Sequence, residues 1–363
     1  MRILTFSAKY FISGTTGDAV QMRSTLRALS ALGVEAESVF YDGDTFINRE
    51  GGIIDDAHLK ELLAKCDVIH MFIYPGREQG ERLGPLFMDK PVVISTVFFQ
   101  NFTKLKVAWK NRDSFWKFAF MAAGYFYNLI DHKHIAYCRA ILPNSWTEGE
   151  CVLEHFVLPK NVQCFPIPNA ISPILSQEEI LKSPRSEKVP FDDYAVCPGV
   201  FAPRKNQLSL IRALKNQNIP VVFLGGAING KPDYWIRCKK EKNDKMLFLG
   251  YLPSTDIEYW KILAHARVAV LPSDCETPGI AMIEAAYAGA RPVITRFGGT
   301  MEYYGMQGEY LNPTSLKSIR NAVIKGWERG RLLPSEIAAI PFYSWEDAAK
   351  LTLNAYESVM RHH

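Results

Sequence analysis

The sequence predicts an α/β protein made of two doubly wound halves, each a parallel sheet covered by helices. Three observations predict it. Strand-like apolar runs alternate with helical patterns along most of the chain, which is the signature of a parallel sheet with crossover helices. The alternation pauses once, at residues 167–193, and then restarts. Finally, the 363 residues exceed one core, because single hydrophobic cores stop growing near roughly 250–300 residues.

In the first half, "RILTFSA" opens as a strand and "SGTTG" as a turn. "DAVQMRSTLRALSALG" has helical spacing and stops at Gly33. "VEAESVFY" reads as a strand, "AHLKELLAKC" as a helix and "DVIHMFIY" as a strand. "KPVVISTVFF" is a further buried strand, "CRAILPNS" another, and "WTEGECVLEHF" the helix after it. The pause, "IPNAISPILSQEEILKSPRSEKVPFDD", is rich in Pro and Ser and mixed in charge, so it reads as a linker.

The second half repeats the alternation. Strands are expected at "YAVCPGV", "PVVFLGG", "KMLFLGYL", "HARVAVLPS" and "RPVITR". Helices are expected at "KNQLSLIRALKNQN", "PDYWIRCKKEKN", "STDIEYWKILA" and "SLKSIRNAVIKGWE", with a last amphipathic helix at "SWEDAAKLTLNAYESVMRHH". The expected domains are residues 1–172, residues 173–340 and a C-terminal helix over 341–363. Two such domains facing each other make a cleft at the carboxyl ends of their strands, where ligands of this fold class bind.

Composition narrows the function. Hydrophobic residues make up 48% and charged residues 22%, as in an ordinary globular enzyme. A net charge of only +4 argues against a nucleic-acid binder. Cysteines 66, 138, 151, 164, 197, 238 and 275 are scattered and include no CxxC pair, so reduced thiols are expected rather than a disulfide frame or zinc site. The N-terminus lacks a signal-peptide apolar region, and no apolar run reaches the ~20 residues of a spanning helix. A cytoplasmic protein is expected, with contact to the inner membrane face left open.

The stretch "SDCETPGIAMIEAAYAGARPVIT" holds the sharpest functional signal. Thr277 suits a helix cap, Pro278 its first turn and Gly289 its end. Glu284 then falls on an apolar face with Ile280, Ala281 and Ala288. An unpaired buried carboxylate is costly, so it needs a partner. One reading is a structural ion pair with Arg291 or Arg267. The other is a ligand that donates paired hydroxyls, as a ribose does, with Glu276 facing another part of that ligand from the strand end. Helix N-termini also favour phosphate.

Glu276-x7-Glu284, set between "VAVLPS" and "EAAYAGARPVI", resembles the EX7E signature of retaining GT-B glycosyltransferases of family 4. The likeness extends over nearly the whole chain. "RFGGTMEYYGMQGEYLNP", with Gly298, Gly299 and Glu302, resembles the family's GGxxE segment. "PGVFAPRKNQLSLIRAL" resembles its phosphate-binding strand and helix, and "FPIPNAI" the segment that closes the first domain. "SWEDAA" resembles the start of a last helix that crosses back to the N-terminal domain. The combination is far more specific than any one motif. It implies two Rossmann-like domains, the first on the acceptor side and the second binding a nucleotide-sugar donor.

Roles carry over residue by residue. Glu276 would contact the transferred sugar and Glu284 the donor ribose. Backbone amides around Pro278, Gly279 and Ile280 would hold sugar hydroxyls and phosphate. Lys205, with Arg204 beside it, matches the lysine that stabilises the leaving diphosphate, a fixed cation opposing the charge that grows on the bridging oxygen. Gly199 ends the strand leading into that segment. Tyr251 and Leu252, after Gly250, resemble the base-binding loop. Gly17, between the first strand and helix, would touch the donor, since glycine allows close backbone approach.

Two positions depart from the family. It usually has an Arg directly after the strand glycine, where this chain has Val200; Arg204 could reach the same phosphate. It often has a His near the sugar, where this chain has Phe98 or Phe99. His132 and His134 are the nearby histidines, and they read as ordinary loop or helix residues because no third metal ligand accompanies them. The resemblance implies no metal and no cofactor beyond the nucleotide sugar as substrate.

Residues 101–128 mix lysines with Trp109, Phe115, Trp116, Phe118, Phe120, Tyr125 and Phe126. Such a basic aromatic segment suits an anionic bilayer, or equally a domain helix whose aromatics are core. The expected activity is transfer of a hexose-type sugar to a saccharide or lipid-linked glycan, in glycan or cell-surface polysaccharide assembly. No nucleophile motif competes with it. A non-catalytic transferase-like subunit that binds nucleotide or glycan is the alternative.

Overall fold

The computed structural model describes residues 1–14, 16–72, 83–87, 89–99, 109, 115, 119, 137–228 and 232–361. The chain divides into two compact units. The first contains the described residues of 1–100, 123–170 and 343–363, and the second contains those of 101–122 together with Ile171–Phe342.

The first unit holds strands β1 (Arg2–Ala8), β2 (Glu35–Asp42), β3 (Thr45–Ile47), β4 (Val68–Phe72), β5 (Val92–Ser95), β6 (Ala140–Leu142) and β7 (Gln163–Cys164). They form one sheet in the order β3-β2-β1-β4-β5-β6-β7. Every pairing is parallel except β2 with β3. That hairpin was not expected. It is turned by Gly43, whose φ of 60° suits glycine, and Asp42 pairs with Thr45 across the two-residue loop. Helices α1 (Gly17–Ala31), α2 (Asp56–Lys65) and α3 (Trp146–His155) follow β1, β3 and β6. Strand β4 is buried on every residue, as a strand covered on both faces must be.

Strand β5 stops at Ser95, short of the expected strand through Phe99. The reason is Glu148 on α3. Its carboxylate accepts from Thr96 Oγ1 (2.7 Å), Phe98 N (2.9 Å) and Asn144 N (3.0 Å), which turns the chain out of the ladder. Phe98 then packs against Phe156, with ring centroids 4.6 Å apart.

The second unit contains β8 (Ala195–Pro198), β9 (Val221–Leu224), β10 (Met246–Gly250), β11 (Val268–Leu271), β12 (Arg291–Thr295) and β13 (Glu309–Leu311). Their order is β10-β9-β8-β11-β12-β13, parallel throughout. Its helices are α4 (Gln177–Leu181), α5 (Gln207–Leu214), α6 (Asp233–Glu241), α7 (Ile257–His265), α8 (Ile280–Tyr287), α9 (Thr300–Tyr304), α10 (Leu316–Arg329) and α11 (Pro334–Ala338). The expected linker is more than a tether. It contains α4, closed by a capping box of Ser176 and Glu179, and it buries Ile171 and Ile180 in the unit's core.

Helix α12 (Trp345–Arg361), at the chain's end, belongs to the first unit and packs on α1. Ser344 and Asp347 cap it reciprocally. Tyr356 on α12 places its hydroxyl 2.6 Å from His70 Nδ1 in β4, and His70 Nε2 lies 2.8 Å from Ser95 Oγ in β5. Burial pushes the His70 ring down to about 3, so it is a neutral strut between helix and sheet.

Candidate functional site

In the second sheet β8 and β11 are neighbours although β9 and β10 intervene in sequence. The strand order therefore reverses between them, and the carboxyl ends of strands at such a switch point form the usual ligand crevice. Lys205 follows β8 and Glu276 follows β11, so the topology alone brings the two loops together.

Local geometry then joins the side chains. Arg204 and Lys205 lie in a short 3-10 turn, Pro203–Lys205. Asn206 leaves this turn with φ 60°, a left-handed conformation that Asn tolerates better than most residues. It is fully buried, and its Nδ2 donates to the carbonyls of Pro272 and Pro313, each at 2.9 Å. The Asp274 amide donates to the Arg204 carbonyl at 2.9 Å. With both loops tied, Lys205 Nζ reaches Glu276 Oε1 at 2.6 Å, and the Ser273 hydroxyl donates to the same oxygen. The pair is largely out of water, with side-chain exposures of 12% for Lys205 and 4% for Glu276. Burial pushes the Glu276 carboxyl up, but the charges of Lys205 and Arg204 and the two hydrogen bonds outweigh it, so its pKa lies below the ordinary value.

Glycines let the backbone close around this pair. The Glu276 amide donates to the Phe297 carbonyl (3.1 Å), and the Gly299 amide donates to the Glu276 carbonyl (3.1 Å). Gly298 has φ 103°, and a Cβ there would sit 2.1 Å from the Glu276 carbonyl oxygen. The "GG" of 298–299 is thus the close-approach seam on which Glu276 rests. Gly279 has φ 84°, and a Cβ there would lie 3.0 Å from Glu276 Oε2.

Gly279, not Thr277, occupies the cap of α8, which begins at Ile280. This moves the expected cap and helix start by two residues. Pro278 is therefore outside the helix, in the loop, and the amides opening the first turn at Ile280 face the same end as Glu276. Glu284 lies in the middle of α8, with 7% exposure. Neither expected arginine is its partner. Arg291 Nη1 and Nη2 bond the Glu336 carboxylate at 2.9 and 2.7 Å. Arg267 donates to the Trp327 carbonyl at 2.6 Å. Instead the Tyr259 hydroxyl on α7 donates to Glu284 Oε2 at 2.6 Å. Burial raises the Glu284 carboxyl to about 7 against that single hydrogen bond.

The remaining predicted residues of this unit line the same sheet edge. Gly199, Gly225 and Gly250 end or follow β8, β9 and β10, all with positive φ. The Gly225 amide donates to the Gly250 carbonyl at 2.7 Å, and a Cβ on Gly225 would strike the Gly199 carbonyl at 2.0 Å. Val200 gives its carbonyl to Gln207 Nε2 at 2.8 Å. Tyr251 is exposed, while Leu252 packs on the core. In the first unit, Gly17 opens α1 at the carboxyl end of β1, beside the β1/β4 switch point.

Asn206, Ser273 and Tyr259 were not anticipated. Asn206 had a local signal, an Asn directly before a helical run. Ser273 and Tyr259 had none, because their roles depend on partners brought by other segments. His132 and His134 lie outside the described residues, as does most of 101–128. Within that stretch Trp109 and Phe115 are helical and exposed, their rings edge to face at 6.3 Å. Among the described residues no helix is long and apolar enough to cross a membrane, and no group of three His, Cys, Asp or Glu side chains is placed to hold a metal. No disulfide joins any of the seven cysteines.

Residues 179–326 match the family model described as glycosyl transferases group 1. Over 195 residues the chain is 26% identical to the O-antigen chain mannosyltransferase B of Escherichia coli, covering 50% of each chain. It is 30% identical over 123 residues to an uncharacterised glycosyltransferase of Methanocaldococcus jannaschii, covering 32% of this chain and 31% of that one. The chain thus spans half or less of the length of these curated relatives. Among solved structures, sucrose-phosphate synthase from Thermosynechococcus elongatus superposes with a TM-score of 0.65 at 18% identity, covering 100% of both chains. Anabaena HepE in complex with UDP-glucose gives 0.60 at 15% identity, covering 100% of this chain and 98% of that one. The protein therefore has the GT-B fold, and the part of its second unit that carries Lys205, Glu276 and Glu284 is a glycosyl transferases group 1 domain.

Proposed function

We propose that this protein is a retaining, metal-independent glycosyltransferase of family 4, which moves a hexose-type sugar from a nucleoside diphosphate to a hydroxyl of a saccharide or lipid-linked glycan. The observation that carries the reading is the pairing of Lys205 with Glu276 at 2.6 Å beside the switch point of the second sheet. The two loops hold a cation and a carboxylate side by side at the carboxyl end of the sheet, where a sugar diphosphate would meet both.

In the reaction the bond from the sugar's anomeric carbon to the diphosphate oxygen breaks. Lys205, helped by Arg204, opposes the charge that develops on that oxygen. The acceptor oxygen bonds to the same face of the anomeric carbon and gives its proton to the departing phosphate, so no protein nucleophile is needed. Glu276 orients the sugar hydroxyls, Glu284 accepts from the ribose, and Tyr251 and Leu252 flank the base. A mannosyltransferase among the relatives and a UDP-glucose complex among the structural neighbours support a hexose and a nucleotide sugar. Assembly of a cell-surface polysaccharide by a cytoplasmic enzyme, in contact with the inner membrane face through residues 101–128, is the setting that fits.

The test is thermal denaturation with UDP, GDP, ADP, CMP and dTDP, with and without EDTA. One diphosphate is expected to raise the melting temperature equally in both conditions, and its sugars are then assayed for transfer. No rise with any nucleotide at millimolar concentration overturns the reading.

A further inference from the structure

Glu284 is a buried carboxylate with one side-chain hydrogen-bond partner among the described residues, the Tyr259 hydroxyl at 2.6 Å from Oε2. Tyr259 is itself buried, on α7, 25 residues away in sequence. The other titratable groups on the elements around α8 are engaged elsewhere. On α7, Lys261 pairs with Glu258 at 2.7 Å, and His265 Nε2 lies 2.8 Å from the Ser183 carbonyl. On β12, Arg291 is taken by Glu336. Strand β11, Val268–Leu271, offers no ionisable side chain. The exposed Tyr251, after β10, is near enough to Tyr259 to influence it electrostatically.

A carboxylate oxygen that accepts from a fixed phenol has little freedom to turn. With Oε2 held, Oε1 is the acceptor left for a ligand. We infer that Tyr259 is a positioning residue for the donor: by holding Oε2 it aims Oε1 at the vicinal hydroxyls of a ribose, and so makes the site favour ribonucleoside diphosphates over their 2′-deoxy counterparts. This rests on the ribose role of Glu284 proposed above. A buried acceptor that loses its donor is penalised strongly, and that is the physical source of the discrimination. The hydrogen bond also opposes the effect of burial on Glu284, whose carboxyl sits at about 7. Without it, the proton that competes with the ribose hydroxyls is held to higher pH.

The experiment is isothermal titration of wild type, Tyr259→Phe and Glu284→Ala with UDP, GDP and ADP, then with the 2′-deoxy form of the tightest binder, between pH 6.5 and 9. Comparing variants removes the ionisation of the diphosphate itself. For wild type, affinity is expected to rise through pH 7 and to favour the ribo form at least tenfold. For Tyr259→Phe, affinity at pH 7 is expected to fall about tenfold, its pH midpoint to move upward, and the ribo preference to shrink. Wild-type affinity, midpoint and preference in Tyr259→Phe, with binding lost in Glu284→Ala, would overturn the positioning role alone. Unchanged binding in Glu284→Ala would overturn the ribose reading and this inference with it. If Tyr259→Phe does not fold, a wild-type affinity indifferent to pH and to the 2′-hydroxyl overturns the inference.

Discussion

Lys205 Nζ stands 2.6 Å from Glu276 Oε1, with both side chains nearly buried and 71 positions apart in sequence. Each neutralises the other in a place where neither charge is well hydrated. Removing one partner of such a pair leaves a buried charge and costs about 3–5 kcal/mol. Lys205→Ala is expected to lower stability to that extent in urea denaturation, and Lys205→Met with Glu276→Gln to recover much of it. Turnover should not recover in the double variant, and the single variant should lose about 10²–10³-fold in kcat, the scale of one lost electrostatic stabiliser. Recovered turnover in the double variant would separate the pair from the chemistry.

The glycines around Glu276 predict a graded series. Gly298→Ala forces a Cβ to 2.1 Å from the Glu276 carbonyl at φ 103°, whereas a Cβ on Gly226 meets nothing within 4 Å. Strained backbone costs about 1–3 kcal/mol before the clash is counted. Gly298→Ala should therefore lose several degrees of melting temperature, Gly279→Ala somewhat less, and Gly226→Ala almost nothing. Equal losses across the three would contradict the seam.

His70 supplies a pH-dependent term. Its folded pKa is about 3 against an ordinary 6.5, so the unfolded chain binds the extra proton between those values. The contribution of this residue is complete above about pH 6.5 and is lost progressively as pH falls toward 3. His70→Gln should flatten the acid limb of stability against pH. Tyr356→Phe should cost about 1–3 kcal/mol at neutral pH by leaving a ring nitrogen unsatisfied, and loosening of α12 should appear in its amide exchange.

Glu284 works in the opposite sense. Its folded pKa is about 7 against an ordinary 4.5, so the folded state holds the proton more tightly and stability falls as pH rises through that window. Glu284→Gln is expected to melt higher than wild type at pH 8, the gain shrinking below pH 7, while nucleotide binding is lost. A melting difference that stays constant from pH 5 to 8 would show that the carboxylate is not strained by burial.

Strand runs such as "VVFL" and "VAVL" were legible because a strand buried on both faces must be apolar throughout, and both lie in the second sheet as expected. The two glutamates were legible as a spacing and as a family resemblance. The β2/β3 hairpin had a local cue in "YDGDT" that the surrounding parallel pattern masked. The start of α8 was misplaced because Thr277 and Pro278 satisfy cap preferences that Gly279, with its positive φ, overrides. Glu148 carried no local signal for its role, because Thr96 and Phe98 reach it from a strand end about 50 residues earlier in the chain.

Periodicity and composition were enough to define two doubly wound sheets, helical spacing placed Glu284 on an apolar face, and the family resemblance singled out Lys205 and Glu276. Those signals are local, carried by residues a few positions apart on one strand or helix. Pairings are not local. Tyr259 rather than an arginine holds Glu284, Glu336 takes Arg291, and Asn206 locks the lysine loop to two strand ends. Crossover connections set which loops meet, and a buried polar group bonds to whatever that topology brings within about 3 Å. Only the tertiary structure could decide which partner each charge received.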